Sequence, residues 1–283
     1  MKQLAPLAVL TLVVVGLILG ACSTTPTATP LPPTATPAST PTATLAPPTP
    51  LPRPTTFPLK VGTDATFRPM EYKDEKSGQI VGLDIDLCNA ICTEIGCTAT
   101  YANIAFDGLL AALKAERIDL VASSVIITAE RQKQYLFSAP YLLAGQIVTV
   151  RADEKAITGP DTIGRGKKIG VQLGTTGEEP AKKITQKSGA EVKSYDDVTL
   201  AFADLTAGRL DAVIYDFPVT ADYIAATPNA RLKMAGRVFT EEYYGFVFRQ
   251  DQQALVEKVN AALQKLKDSG QLAELQKKWG LAQ

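Results

Sequence analysis

Histidine is absent from all 283 residues. That absence removes Ser-His-Asp and Cys-His nucleophile systems, histidine general bases and histidine-ligated zinc. A surplus of either charge is also missing, since Lys+Arg and Asp+Glu both number 29. Nucleic acid held by a basic surface is therefore not an expected partner. Cysteine is scarce, at four residues. Cys22 lies far from the others, and Cys88, Cys92 and Cys97 lack a fourth ligand for a thiolate metal site, so neither metal nor cofactor is expected. The apolar run from Leu7 to Leu19 falls short of the ~20 residues of a spanning helix. What is present is an ordinary globular balance, 46% hydrophobic and 20% charged. The length suits about two domains.

The two ends of the chain differ in kind. Residues 1–21 combine Lys2, a short apolar core and the small residues Gly20 and Ala21, the pattern of an export signal rather than of a fold. The run Leu19-Gly20-Ala21-Cys22 resembles a bacterial lipobox, in which Cys22 is acylated and begins the mature chain. Residues 22–58 are then the lipidated cysteine and a tether; positions 23–58 hold 12 Pro, 12 Thr and the single charge of Arg53. That composition cannot bury a core. Extended as polyproline II at about 3.1 Å per residue, it reaches at most roughly 110 Å. The body, residues 59–283, contains all 29 acids and all basic residues but Lys2 and Arg53, a net charge of −2.

Strand and helix patterns alternate through the body. Strands are expected over 59–62, 98–101, 120–123, 146–150, 168–171, 191–195, 212–215 and 244–248. Helices are expected over 84–95, 106–115, 179–186, 197–207, 217–226 and 252–267, with another starting at Thr128 as N-cap. This predicts α/β lobes with mainly parallel strands. An internal echo points to two lobes built alike. Leu113-Lys-Ala-Glu-Arg117-Ile-Asp119-Leu-Val121 matches Leu205-Thr-Ala-Gly-Arg209-Leu-Asp211-Ala-Val213 at an offset of 92 residues. Three residues beyond each valine stand Ser124 and Asp216, near strand carboxyl ends, where open α/β sheets bind ligands.

Several residues could hold a ligand there. Arg131 lies in the first turn of a helix, where the dipole opposes a cation by typically 0.3–1 kcal/mol. Glu130, solvent or a bound carboxylate held bidentately would each compensate. Gly174-Thr175-Thr176-Gly177 joins a strand to a helix and suits an anion, or is a plain glycine-rich turn. It lacks the ending of a phosphate loop, and Gly164-x-Gly166 matches no dinucleotide fingerprint. Asp216 either meets an ammonium or caps a helix. Ser123 and Ser124 either bond a ligand or are small turn residues. Phe67 and Phe106, near Asp64, either sandwich a cationic group or belong to the core. Together these groups match a zwitterionic amino acid with a polar or cationic side chain, and none is an activated nucleophile. Cys92 and Cys97 are spaced to link a helix end to the next strand, leaving Cys88 a buried thiol.

The motifs resemble those of the polar amino-acid-binding proteins of bacterial ABC importers, in particular the lysine/arginine/ornithine- and glutamine-binding type. They are Gly62-Thr-Asp64-Ala-Thr-Phe67-Arg-Pro69, Val81-Gly-Leu-Asp84-Ile-Asp-Leu87, Phe106-Asp-Gly-Leu109, Ile127-Thr-Ala-Glu-Arg131, Phe137-Ser-Ala-Pro-Tyr141, Gly170-Val-Gln172-Leu-Gly-Thr175-Thr176 and Asp211-Ala-Val-Ile-Tyr-Asp216. The resemblance covers Leu59–Gly280. It implies an α/β fold of periplasmic-binding-protein type II, two similar lobes joined by two hinge strands with the ligand between them. Lobe 1 is then 59–144 with 239–283, and lobe 2 is 145–238. It also implies that Arg131 holds an α-carboxylate with Thr175 and Thr176, and that Asp216 takes the α-ammonium with Ser123 or Ser124. Phe67 and Phe106 would flank the side chain, while Asp64 meets its polar end with Gln172. Ile126 departs from the resemblance, standing where relatives commonly place Ser or Thr. Restoring a hydroxyl with Ile126→Thr is expected to tighten binding by about 0.5–1.5 kcal/mol. The cysteines depart too, since basic-amino-acid relatives carry a disulfide here at wider spacing.

The reading that follows is a non-enzymatic, lipid-anchored, monomeric, extracytoplasmic protein. It delivers arginine or lysine, with glutamine next, to an ABC permease. Two other classes share these features. An exported dehydratase of arogenate or prephenate type would need an acid aimed at a leaving group. An amino-acid sensor would act through a membrane partner.

Overall fold

The computed structural model describes residues 56–281. The segments read from the sequence as an export signal, a lipidated Cys22 and a tether, up to residue 55, lie outside the described residues.

Two five-stranded sheets share one plan. In the first, the order is Cys97–Asn103, Phe57–Thr63, Leu120–Val121, Val247–Phe248 and Leu136–Phe137. In the second, it is Glu191–Tyr195, Lys168–Gln172, Ala212–Asp216, Gln146–Arg151 and Leu232–Ala235. The first three strands of each run parallel, and the last two pairings of each are antiparallel. The expectation of mainly parallel strands is therefore corrected to mixed sheets. The antiparallel fourth strand lets the chain pass between the lobes without a helical crossover.

The sequence echo is a structural repeat. Asp119 accepts the backbone N–H of Lys60 at 2.9 Å, and Asp211 accepts that of Lys168 at 2.9 Å. Each aspartate thereby pairs the start of the central strand beside it. The turns before them need left-handed backbone, with φ +56° at Glu116 and +73° at its counterpart Gly208. A Cβ on Gly62 would sit 2.4 Å from Ile118, and one on Gly170 would sit 2.5 Å from Leu210. Both central strands thus carry glycine where the echoed Ile118 or Leu210 must pack.

Two short strands, Leu142–Ala144 and Glu242–Tyr244, pair antiparallel where the chain passes between the lobes. Expected strand 244–248 is accordingly two strands separated at Gly245–Phe246. The helix beginning at Thr128 is short, Ala129–Gln132, and Thr128 accepts the N–H of Arg131 at 3.1 Å. Sequence periodicity missed a three-stranded antiparallel sheet, Thr66–Phe67, Glu71–Lys73 and Ile80–Val81, and the last helix, Gln271–Lys278. Strands of two or three residues are too short to show a period. Cys92 at the end of helix Leu83–Ile95 is bonded to Cys97 at the start of the next strand, around Gly96 at φ +72°. Cys88 is a buried free thiol, and burial pushes it up to about 12.

Candidate functional site

The cleft between the lobes is lined from strand carboxyl ends and the turns that follow them. Asp64 follows strand Phe57–Thr63 of the first lobe; Gln172 ends strand Lys168–Gln172 of the second. Their side chains meet across the cleft, Gln172 Nε2 donating to Asp64 Oδ2 at 2.8 Å. Gln172 also donates to the Asp196 carbonyl at 3.0 Å and accepts from the Tyr215 hydroxyl. Thr66 donates to Asp64 Oδ1 at 2.9 Å. Burial pushes the Asp64 carboxyl up to about 6, and the negative charge of Asp197 adds to this; the bonds from Thr66 and Gln172 oppose it.

Arg131 occupies the other side. Its guanidinium donates to the Ile126 carbonyl at 2.8 Å and, across the cleft, to the Gly174 carbonyl at 3.0 Å. Glu130 is not its partner, since that carboxylate pairs with Lys133 at 2.6 Å. Phe106 lies beneath the guanidinium, 5.8 Å from ring centroid to Cζ. Burial pulls Arg131 below its ordinary value, and the acids that resist this are Asp216 and Glu242. Gly174, at φ +78°, turns the chain close to Asp107 and Phe106; a Cβ there would lie 3.3 Å from Asp107.

Asp216 precedes helix Phe217–Ala226 yet makes no capping bond. Its carboxylate instead accepts from Gln146 at 2.5 Å and from the Tyr244 hydroxyl at 2.7 Å. Burial pushes it up to about 7, with Glu242 adding, while Tyr244, Gln146 and Arg131 oppose. Thr176 donates to Glu242 at 3.3 Å and accepts from Gln146 at 3.2 Å. The Thr175 hydroxyl donates to the Gln172 carbonyl at 2.8 Å, which fixes the turn.

One expectation is corrected, and two further site residues are placed in detail. Ser123 and Ser124 do not aim their hydroxyls at Asp216; both donate to buried Glu71, at 3.0 and 3.2 Å. Ser123 also accepts the Asp64 N–H at 2.9 Å, and the Ser124 N–H donates to Asp84 at 2.7 Å. Phe67 is only 3% exposed, with its ring edge-on to Tyr215 at 5.2 Å. It also lies edge-on to Tyr244 at 6.5 Å, so its ring is held among the tyrosines of the second lobe and the hinge. Ile126 is 3% exposed and packs in the main core, contributing its carbonyl to Arg131. Ile126→Thr is therefore expected to lower stability by about 1–2 kcal/mol through lost apolar packing. Chemical denaturation of the variant checks this; unchanged stability would show that threonine packs at this position as well as isoleucine does.

Sequence reasoning missed Gln146, Glu242, Tyr244, Glu71 and Asp84. Gln146 opens an apolar strand and Glu242 opens a hinge strand, and neither position has a local pattern that marks a site. The pairing of the two hinge strands, which sets Glu242 opposite Ala144, makes them neighbours.

The family model for bacterial extracellular solute-binding proteins, family 3, matches residues 59–282. The L-cystine-binding protein TcyJ of Escherichia coli strain K12 is 33% identical over 222 residues, covering 78% of this chain and 82% of that protein. The ABC transporter arginine-binding protein 1 of the same strain is 36% identical over 228 residues, covering 78% and 90%. A solved structure of an ancestral arginine-binding protein bound to arginine superposes with a TM-score of 0.76 at 40% identity, covering 80% of this chain and 99% of that one. These relatives are binding proteins of amino-acid transport, not enzymes. With its two-lobed mixed α/β fold and its cleft of opposed carboxylates and guanidinium, the chain belongs to the bacterial extracellular solute-binding proteins of family 3.

Proposed function

We propose that the protein captures an L-amino acid with a cationic side chain, arginine or lysine, outside the cytoplasm and delivers it to an ABC permease. The observation that carries this reading is the separation of charge in the cleft. Arg131 and Asp216 supply an anion holder and an ammonium acceptor at one end, while Asp64 stands at the other beside Asp197. An α-carboxylate on Arg131 and an α-ammonium on Asp216 leave the side chain directed at Asp64, where a cation would relieve two neighbouring acids. Glutamine is second, because Asp64 also accepts from an amide. Lobe 1 is 59–144 with 239–283 and lobe 2 is 145–238, with 142–144 and 242–244 as the hinge. Residues 1–21 act as the export signal, and Cys22 carries the lipid that holds a monomeric body, on its tether, at the membrane.

Calorimetric titration of residues 56–283, unfolded and refolded to strip ligand, tests the reading. Arginine or lysine is expected to bind tightest among the amino acids. Asp64→Asn is expected to reduce that preference over glutamine by about tenfold, the worth of one charge-assisted bond. Preference for a neutral amino acid would discard the basic assignment.

Closure also has a contact outside the ligand site. Arg68 of the first lobe pairs with Asp222 of the second at 3.2 Å, and its guanidinium lies 4.2 Å above the Tyr72 ring. Half-exposed pairs contribute at most about 1 kcal/mol. Arg68→Ala is therefore expected to weaken binding by no more than about fivefold at low salt, with the difference vanishing near 1 M salt as screening shortens to about 3 Å. A salt-independent loss would show that Arg68 acts by packing on Tyr72 instead.

A further inference from the structure

Glu242, on a hinge strand, faces the ligand-binding turns; among the described residues it has no salt-bridge partner, and Arg131 senses its charge without bonding it. Its Oε2 accepts from Gln146 Nε2 at 3.0 Å and from the Thr176 hydroxyl at 3.3 Å. The same Gln146 nitrogen also lies 2.5 Å from Asp216 Oδ1 and 3.2 Å from Thr176 Oγ1. One amide nitrogen has two hydrogens, and here it faces three acceptors. Two carboxylates, Asp216 and Glu242, thus converge on one neutral donor. Arg131, which senses both carboxylates through charge, gives its bonds to the carbonyls of Ile126 and Gly174 and to neither carboxylate. With Asp64 and its neighbour Asp197, four carboxylates stand in or beside the cleft against the guanidinium of Arg131.

We propose that Glu242 is a specificity-determining residue, supplying the surplus negative charge that makes the cleft discriminate amino acids with cationic side chains from neutral ones. This rests on the reading of the cleft given above. A zwitterion with a neutral side chain brings no net charge and leaves the surplus uncompensated. Arginine or lysine brings one positive charge among buried carboxylates, where charges several ångströms apart still interact. Asp64 alone would attract a cation and an amide group alike. Glu242 does not touch the far end of the side chain and so acts through net charge, not through a hydrogen bond.

The test is titration of arginine and of glutamine into the wild type, Glu242→Gln and Glu242→Asp. Glutamine at 242 keeps an acceptor for Thr176 and Gln146 while removing the charge. Arginine is expected to weaken about tenfold in Glu242→Gln, glutamine by less than threefold, and Glu242→Asp to restore most of the preference. Equal weakening of both ligands would overturn the inference and leave Glu242 a structural hinge residue, with the basic reading intact. Tighter binding of arginine in Glu242→Gln would overturn it too, by showing that the charge competes with ligand for Thr176. A wild type that prefers glutamine would sink the underlying reading first, visible before any variant is made. Melting curves of the three proteins separate these outcomes from misfolding.

Discussion

Affinity for arginine is expected to fall about a thousandfold between pH 8 and pH 5. Two carboxyls in the cleft are pushed up, Asp216 to about 7 and Asp64 to about 6. Burial is the largest cause for both, reinforced by Glu242 facing Asp216 and by Asp197 facing Asp64. A cationic ligand binds the charged forms. Each group that is protonated in the free protein must therefore lose its proton on binding. At pH 5 that costs about a hundredfold through Asp216 and about tenfold through Asp64, and almost nothing at pH 8. The amino and guanidinium groups of arginine do not titrate in this range, so the change belongs to the protein. Calorimetry in buffers of different ionisation heat checks it directly, because proton release of one to two per ligand near pH 6 is expected. Affinity that is flat from pH 8 to 5 would show that neither acid contacts the ligand's cations.

Glu71→Gln is expected to stabilise the protein at pH 8 by about 1–3 kcal/mol, a rise of roughly 3–10 °C in melting temperature. Behind the cleft, Glu71 and Asp84 are both fully buried. Ser123, Ser124 and Tyr141 bond them, and one oxygen of Asp84 has no partner. Among the described residues neither carboxylate has a salt-bridge partner. Burial, then the charge of Asp84, holds Glu71 well above the ordinary carboxylate range, and burial pushes Asp84 to about 7. A carboxyl whose folded value is raised contributes stability that is complete below its unfolded value near 4. That contribution is lost as the pH rises through the folded value. The contribution of this pair is therefore greatest on the acid side and weakens between pH 4 and 8. Glutamine keeps the shape and removes one charge, so its benefit grows with pH and is within about 0.5 kcal/mol of zero at pH 4. Denaturation midpoints at the two pH values decide it. Parallel curves for the two proteins would show that the pair is not charged at pH 8. The same trend separates the two experiments, since this pair contributes most to stability at the pH where ligand binds worst.

Glu71 and Asp84 also show where sequence reading stops. In the sequence, Asp84 is an acid in the first turn of a helix and Glu71 an acid in a three-residue strand, and both environments are ordinary at an exposed surface. Their burial depends on Ser124, 40 residues beyond Asp84, folding back over the helix start with φ +48°. Such a contact has no local signature.

The sequence by itself determined the two-lobed plan, through alternation and through the echo of Arg117-Ile-Asp119 in Arg209-Leu-Asp211. It could do so because helix faces, strand alternation and the turns before Asp119 and Asp211 are local requirements written into neighbouring residues. It also marked Arg131, Asp216 and Asp64, since a cation in a first helical turn opposes the dipole and carboxylates at strand carboxyl ends stand where open α/β sheets bind ligands. Tertiary structure alone decided which alternatives held. It turned Asp216 away from capping and toward Gln146 and Tyr244, gave Arg131 two carbonyls instead of Glu130, and joined Asp64 to Gln172 across 108 residues of chain. It alone placed Glu242 beside Thr176. Those pairings depend on how two lobes close on one another, and closure is set by the summed packing of both sheets and the hinge, which no stretch of sequence encodes alone.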